Sequence, residues 1–253
     1  MSESRPATID DLGVTGAYYL AALLMANEQR LPVAATRRSA LAVLAELRDL
    51  HVIEVPWPAA RWEVRPDAEE TPIEHLQWSY AWPEYHRPGL VHVLCEYLES
   101  VTQDDFGLAL RHRYWEELAV AEAEHFFELQ LAKHQFEVAW AQDFIFVHRD
   151  LQLALSIAQW RYCCWAATRQ GASVALQQRV PALALVREAI YAELQQRAAR
   201  LATGAWATCA LPPASSRPGT AMGRVFVTHL AKLGPEFWML APHAEHLLFR
   251  AKT

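Results

Sequence analysis

Glycine is scarce in this chain, nine residues in 253, and the nine never approach the GxGxxG spacing that lets backbone amides close on a phosphate. That excludes a dinucleotide fingerprint and a nucleotide-covering glycine loop. Cysteine is scarcer still. Of the four cysteines, Cys95 and Cys209 stand alone and Cys163 and Cys164 are adjacent in an apolar stretch, which is neither the spacing of a zinc site nor a disulfide framework. Buried free thiols acting as small core residues are expected. Lysine is nearly missing beside arginine, and with abundant alanine, leucine and tryptophan this bias points to a bacterial source. Arg, Glu, His or Asp interrupts every apolar run before the length of a membrane span, so no membrane contact is expected. The stretch MSESRPATIDDLG has no apolar core behind its first charges, unlike a signal peptide. A cytoplasmic protein follows as the expectation. No GxSxG elbow and no Walker loop is present either.

What remains is hydrophobic and aromatic: 53% of residues are apolar and ten are tryptophan, enough for a sizeable core. The net charge of −6 is unevenly spread. Residues 1–66 carry −1, residues 67–150 carry −12 and residues 151–253 carry +7. Either the acidic and basic thirds face each other in the fold, the expectation preferred here, or the basic third meets a polyanion through Arg179, Arg187, Arg197, Arg200, Arg217 and Arg224.

Apolar density over Thr15–Gln29 predicts a helix buried on more than one side. Thr36 is placed to cap a second helix, in which Leu41, Leu44, Ala45 and Leu47 share a face. The period then changes: HVIEVPW and RWEVRP alternate apolar and polar residues around PAA, predicting two short strands and a turn. Helix, helix and hairpin over residues 10–66 resemble a winged helix-turn-helix domain. The phrase that carries the resemblance is ALAVLAELRDLHVIEV, Ala40 to Val55, similar to the end of a recognition helix running into the first strand of a wing. The short helix that precedes the recognition helix in that family would fall on RLPVAAT, Arg30 to Thr36. The resemblance implies contact with DNA or with a protein partner, and implies that Arg37 and Arg38 at the helix start and Arg61 and Arg65 on the wing would meet phosphates. The head's charge of −1 puts protein ahead of DNA.

Beyond the acidic connector RPDAEETP, the aromatics Trp78, Tyr80, Trp82 and Tyr85 predict an extended segment packed over a helix. Pro88 opens a helix through GLVHVLCEYLESV, and Asp104 and Asp105 lie at the start of another. From Leu108 to Ala141 one continuous helix is expected, because Trp115, Leu118, Phe126, Leu129, Phe136 and Trp140 recur every three or four residues. Glu122 and Lys133 share that recurrence and need partners. Leu151 to Ala167 is apolar almost all round, predicting a central helix capped by Asp150 and closed near Gly171. Arg161 inside it should meet a carboxylate of the preceding helix, Glu122 first. Pro181 opens an amphipathic helix, TGAWATCALPPASSRPGT reads as a linker, and a last helix over AMGRVFVTHLAKLG closes at Gly234 and Pro235.

Three motifs invite chemistry. His148, Arg149 and Asp150 spell the catalytic-loop triplet of protein kinases, but Leu155 stands where the metal-holding asparagine belongs, and the DFG at Asp105–Gly107 precedes the triplet instead of following it. Glu122 and His125 form an ExxH pair whose spacing aims both at one point, as a di-iron carboxylate site requires; Glu116, Glu117 and Glu128 are near, yet it is the only such pair in the chain. His243, Glu245 and His246 are in the wrong register for HExxH.

The expected fold is mainly α: a small winged-helix-like head with a β-hairpin at 1–66, a multi-helix bundle body at 67–203, a linker at 204–219, and a helical segment at 220–253 packing on the body. The expected function is non-enzymatic binding, as a subunit or adaptor of a nucleoprotein or regulatory complex, with DNA or a protein as partner and no cofactor. A helical carboxylate-metal oxidoreductase using Glu122 and His125 is the alternative.

Overall fold

The computed structural model describes residues 8–54, 78–82, 89–101, 104–177, 182–204, 206 and 208–248. Over these the chain is mainly α, with a helical bundle body and one antiparallel ribbon of two-residue strands. It divides into two compact units, Met1–Arg111 with Pro218–Lys232, and His112–Arg217 with Leu233–Thr253.

In the first unit α1 (Ile9–Gln29) is broken at Gly13, whose φ of 63° is not helical: a first turn, started where the Thr8 amide donates to Asp11 Oδ2 at 2.9 Å, precedes the kink, and the continuous helix follows it close to the expected Thr15. It packs on α2 (Arg37–Asp49), α3 (Leu90–Val101) and α8 (Ala221–Val225). Ala17, Tyr18, Leu20, Ala21, Ala22 and Leu23 are consequently no more than 2% exposed. Contrary to the reading of interrupted apolar runs, α1 is long and apolar enough to cross a membrane by length and composition, with a mean hydropathy of 1.2. Its charges, Asp10, Asp11 and Glu28, sit at its ends. Of its most apolar window, 56% is buried inside the protein.

Residues 33–36, between α1 and α2, are a run of bends and not a helix. Thr36 caps α2, accepting from the Ser39 amide at 3.3 Å. Gly16 lets α1 approach the end of α2: a Cβ there would lie 2.6 Å from Leu50 Cδ1. β1 (Ile53–Glu54) pairs antiparallel with β2 (Ser79–Tyr80), Ile53 opposite Tyr80. The strand expected at 61–66 lies outside the described residues; the observed partner comes from the aromatic segment, whose Trp82 is 2% exposed. The amides of Ala221 and Met222 donate to the carbonyls of Pro32 and Val33 at 2.9 Å each, and Tyr18 Oη donates to the Met222 carbonyl at 3.1 Å. α8 then widens into a π turn over Phe226–Leu230, so the helix expected to reach Gly234 stops at Leu230.

In the second unit two expected helices are corrected. α4 (Asp105–Lys133) does not run to Ala141: Gln135 takes a left-handed φ of 59°, the Phe136 amide returns to the Leu131 carbonyl at 2.9 Å, and a 3₁₀ turn at Val138–Ala141 leads into α5 (Gln142–Leu151). The apolar recurrence persists through the break because Phe136 stacks on Trp140, ring centroids 5.9 Å apart. The central helix does not start at Leu151, and Asp150 caps nothing. α5 ends at Gln152, whose φ of 44° is left-handed, residues 153–155 carry no helix, and α6 (Ile157–Gln177) starts at a reciprocal cap in which the Ser156 amide donates to Gln159 Oε1 (2.9 Å) and the Gln159 amide to Ser156 Oγ (3.2 Å).

Gly171 closes no helix. It sits inside α6 where α7 (Leu183–Ala202) crosses, and a Cβ would stand 2.4 Å from Ile190 Cγ1. The core of this unit gathers Phe127, Leu131, Trp140, Phe144, Trp160, Cys163, Cys164, Val186, Ile190 and Leu194. Phe144 meets Trp160 edge-on, 5.1 Å between centroids at 85°, a geometry worth about 1 kcal/mol beyond the area buried. Short helices α9 (Glu236–Met239) and α10 (Glu245–Leu248) complete it.

Candidate functional site

The break between α5 and α6 opens a cavity of about 470 Å³ in the second unit. α4 supplies Glu116 and Ala119, the last turn of α5 supplies His148 and Arg149, the connection supplies Gln152–Leu155, and Trp160 and Pro242 complete the lining. Trp160 and Leu155 are buried, Glu116 and Arg149 exposed. The His148 ring lies 5.5 Å from Trp160 and 6.1 Å from Phe144. Burial pushes its pKa below the ordinary histidine value, and the Glu116 charge only partly offsets this, so the ring is neutral at pH 7.

The HRD letters therefore occupy a helix and not a loop. Arg149 Nε reaches Asp150 Oδ1 at 3.4 Å and its guanidinium lies 5.3 Å from the Phe146 ring, while Asp150 is 53% exposed. Arg149 and Asp150 bond to each other across one residue step, and no kinase-like arrangement is formed by them.

Glu122 is 7% exposed on α4. Arg161 on α6 makes its direct contacts elsewhere: Nε donates to the Leu211 carbonyl at 3.0 Å, and the guanidinium stands 4.0 Å above the Phe126 ring and 6.0 Å from Trp238. Burial lowers the pKa of Arg161, and the Glu122 charge acts through space to raise it. His125 turns to Glu128, Nδ1 to Oε2 at 3.3 Å, and that bond raises its pKa above the usual range against the cost of burial. Among the described residues, no three His, Cys, Asp or Glu side chains converge to hold a metal ion. His243 and Glu245 are exposed, with His243 Nδ1 accepting from the Glu245 amide at 3.3 Å and lying 3.8 Å from its Oε2.

One acidic residue of 67–150 in each unit meets basic residues of 151–253. Arg187 donates twice to Asp143, at 2.9 and 2.7 Å, and Glu99 receives both His229 and Lys232 at 2.9 Å. Of the arginines considered for a polyanion, Arg197 bonds Glu193 and the Tyr162 hydroxyl and lies with Arg200 over Trp206. Arg224 donates to the Pro218 carbonyl and Gln29, Arg217 is exposed, and Arg179 lies outside the described residues. In the first unit Arg37 is half-buried and Arg38 exposed at the start of α2; Arg61 and Arg65 lie outside the described residues.

Sequence reading noticed His148 and Arg149 for a wrong reason and missed the groove. Leu155, Trp160 and Pro242 come from separate elements, and no local pattern announces their meeting. One signal was present: SIAQ at 156–159 is the S-x-x-Q pattern of a helix start, which would have separated α5 from α6. Compared with known proteins, the chain matches no family model, no curated protein and no solved structure.

Proposed function

We propose that this chain is a non-enzymatic binding protein, a subunit or adaptor of a regulatory or nucleoprotein complex, and that its first unit engages a protein partner through the outward face of α2. The succession of α1, α2 and β1 fits the order that a winged helix-turn-helix resemblance implies, although bends replace the helix before α2. The observation that carries the reading is the charge pattern of α2. This helix buries Ala40, Leu41, Val43, Leu44 and Leu47 and leaves Arg38, Ala42 and Asp49 exposed. Positive charge lies at its start and negative charge at its end, where Arg48 Nε is bonded to Asp49 at 2.9 Å. A phosphate backbone calls for cations along the whole contact; a mixed face complements a mixed protein surface.

The test is a pair of binding measurements on the full chain. Immobilised protein should retain a discrete partner from a lysate of its host, lost on Arg38→Glu, and a mixed-sequence 30-base-pair duplex should not shift at physiological salt. A salt-dependent shift abolished by Arg37→Ala with Arg38→Ala would transfer the contact to DNA. Retention unchanged by Arg38→Glu would remove α2 from the interface.

A further inference from the structure

The groove at the break between α5 and α6 belongs to the second unit and takes no part in the contact assigned to α2. Its volume of about 470 Å³ lies within the range of ligand sites, about 300–1,000 Å³. Three features are found together there. Two opposite charges reach solvent: the Glu116 carboxylate, whose partner His112 is at 3.6 Å, and the Arg149 guanidinium, whose partner Asp150 is at 3.4 Å. Both contacts are long for ion pairs, and both residues are more than half exposed, 55% and 68%. The same lining holds the buried Trp160 and Leu155 and the more exposed Leu153, Ala154 and Pro242. Finally, the connection between the helices is free of regular structure. Among the described residues the amides of Leu153 and Ala154 donate to no protein acceptor, and the Leu155 amide returns locally to the Leu153 carbonyl.

We propose that this groove binds a short extended peptide segment that carries a basic side chain, an apolar side chain and a carboxylate in succession. A peptide carbonyl accepts from an amide of the connection, Leu153 or Ala154, neither of which donates to a described protein acceptor. Its basic group pairs with Glu116, its carboxylate with Arg149, and its apolar side chain covers Leu153 and Pro242. His148, held neutral, adds a hydrogen-bonding group without disturbing that charge order. A segment of about three residues spans about 10 Å. Opposite charges supplied by α4 and α5 select composition.

The probes are fluorescein-labelled Gly-Lys-Leu-Glu-Gly and Gly-Lys-Leu-Lys-Gly, followed by fluorescence anisotropy with the full chain, together with ¹⁵N spectra of the unmodified protein titrated with unlabelled Gly-Lys-Leu-Glu-Gly. The wild type should favour the Lys-Leu-Glu peptide at least tenfold, and Arg149→Glu should reverse that order, a gain of binding that misfolding does not produce. The Leu153 or the Ala154 amide signal should move on titration. Equal binding of both peptides by the wild type, or Leu153 and Ala154 signals unmoved at about 1 mM peptide, would overturn the proposal. Free leucine or N-acetyl-leucine competing as well as the peptide would overturn it too, in favour of a small-molecule site.

Discussion

Ile190 of α7 occupies the space where a side chain on residue 171 of α6 would begin: a Cβ on Gly171 would lie 2.4 Å from Ile190 Cγ1 and 2.6 Å from its Cδ1. Among the described residues the two helices share the most extensive contact of the second unit. Gly171→Ala should therefore destabilise the protein by about 1–3 kcal/mol through overpacking, although alanine favours helix. Gly171→Ala combined with Ile190→Val should recover part of that loss. Urea unfolding followed by circular dichroism measures both.

Arg161 is held by a charged-donor hydrogen bond to the Leu211 carbonyl and by the Phe126 ring, with buried Glu122 acting on it through space. Arg161→Ala should cost about 2–4 kcal/mol, the sum of a charged hydrogen bond and a cation–π contact. Glu122→Gln in the Arg161→Ala background should cost less than in the wild type, because the carboxylate has lost the cation that favours its charge. A double-mutant cycle in urea reads the difference.

His125 and His148 should titrate on opposite sides of an ordinary histidine. Glu128 raises the first; burial lowers the second. A raised folded pKa means that His125 contributes stability below its unfolded value, lost as pH rises through the folded one. A lowered folded pKa means that His148 leaves stability intact above its unfolded value, near 6.5, and costs stability as pH falls toward the folded one. NMR titration of the two imidazole Cε1–H signals should give His125 the higher midpoint. His148→Gln should flatten the loss of stability on the acid side of neutrality.

Glu99 is held below the usual carboxylate range by His229 and by Lys232. Its contribution is present above the unfolded pKa and lost as pH falls through the folded one. Glu99→Gln should thus destabilise the protein at pH 7 by no more than about 1 kcal/mol per pair, since the partners are partly exposed, and should have little effect at acid pH. Thermal melts of both proteins across that range provide the comparison.

Burial pushes the Cys163 thiol up to about 12 and the Cys95 thiol up to about 11, and also raises that of Cys164 well above the ordinary thiol value. Only Cys209 is partly exposed. A thiol-reactive chromophore should label one of the four cysteines in the native protein and all four in denaturant.

The elements that read correctly from sequence are those whose ends carry their own chemistry. α2 follows Thr36; Pro88 and Pro181, expected to open α3 and α7, lie outside the described residues, and those helices are described from Leu90 and Leu183. The expected helices through 108–141 and 151–171 failed because apolar recurrence reports which residues face a core and is silent about whether the backbone between them stays helical. Phe136 and Trp140 pack against each other directly after a left-handed Gln135, a residue type that gives no warning of such a turn. Gly171 was misread for a related reason: a glycine that ends a helix and one that admits a neighbouring helix look alike until the neighbour is placed. The groove was illegible because its charge pair and its apolar lining come from α4, α5 and α6 and meet only in three dimensions.

The central claim is that the outward face of α2 is a protein interface, and a photo-crosslinker at Ala42, exposed between Arg38 and Asp49, tests it most directly. Irradiation in the host should yield one discrete protein adduct, which disappears when Arg38→Glu is added. No adduct from position 42, or an adduct that nuclease removes and protease does not, would contradict it.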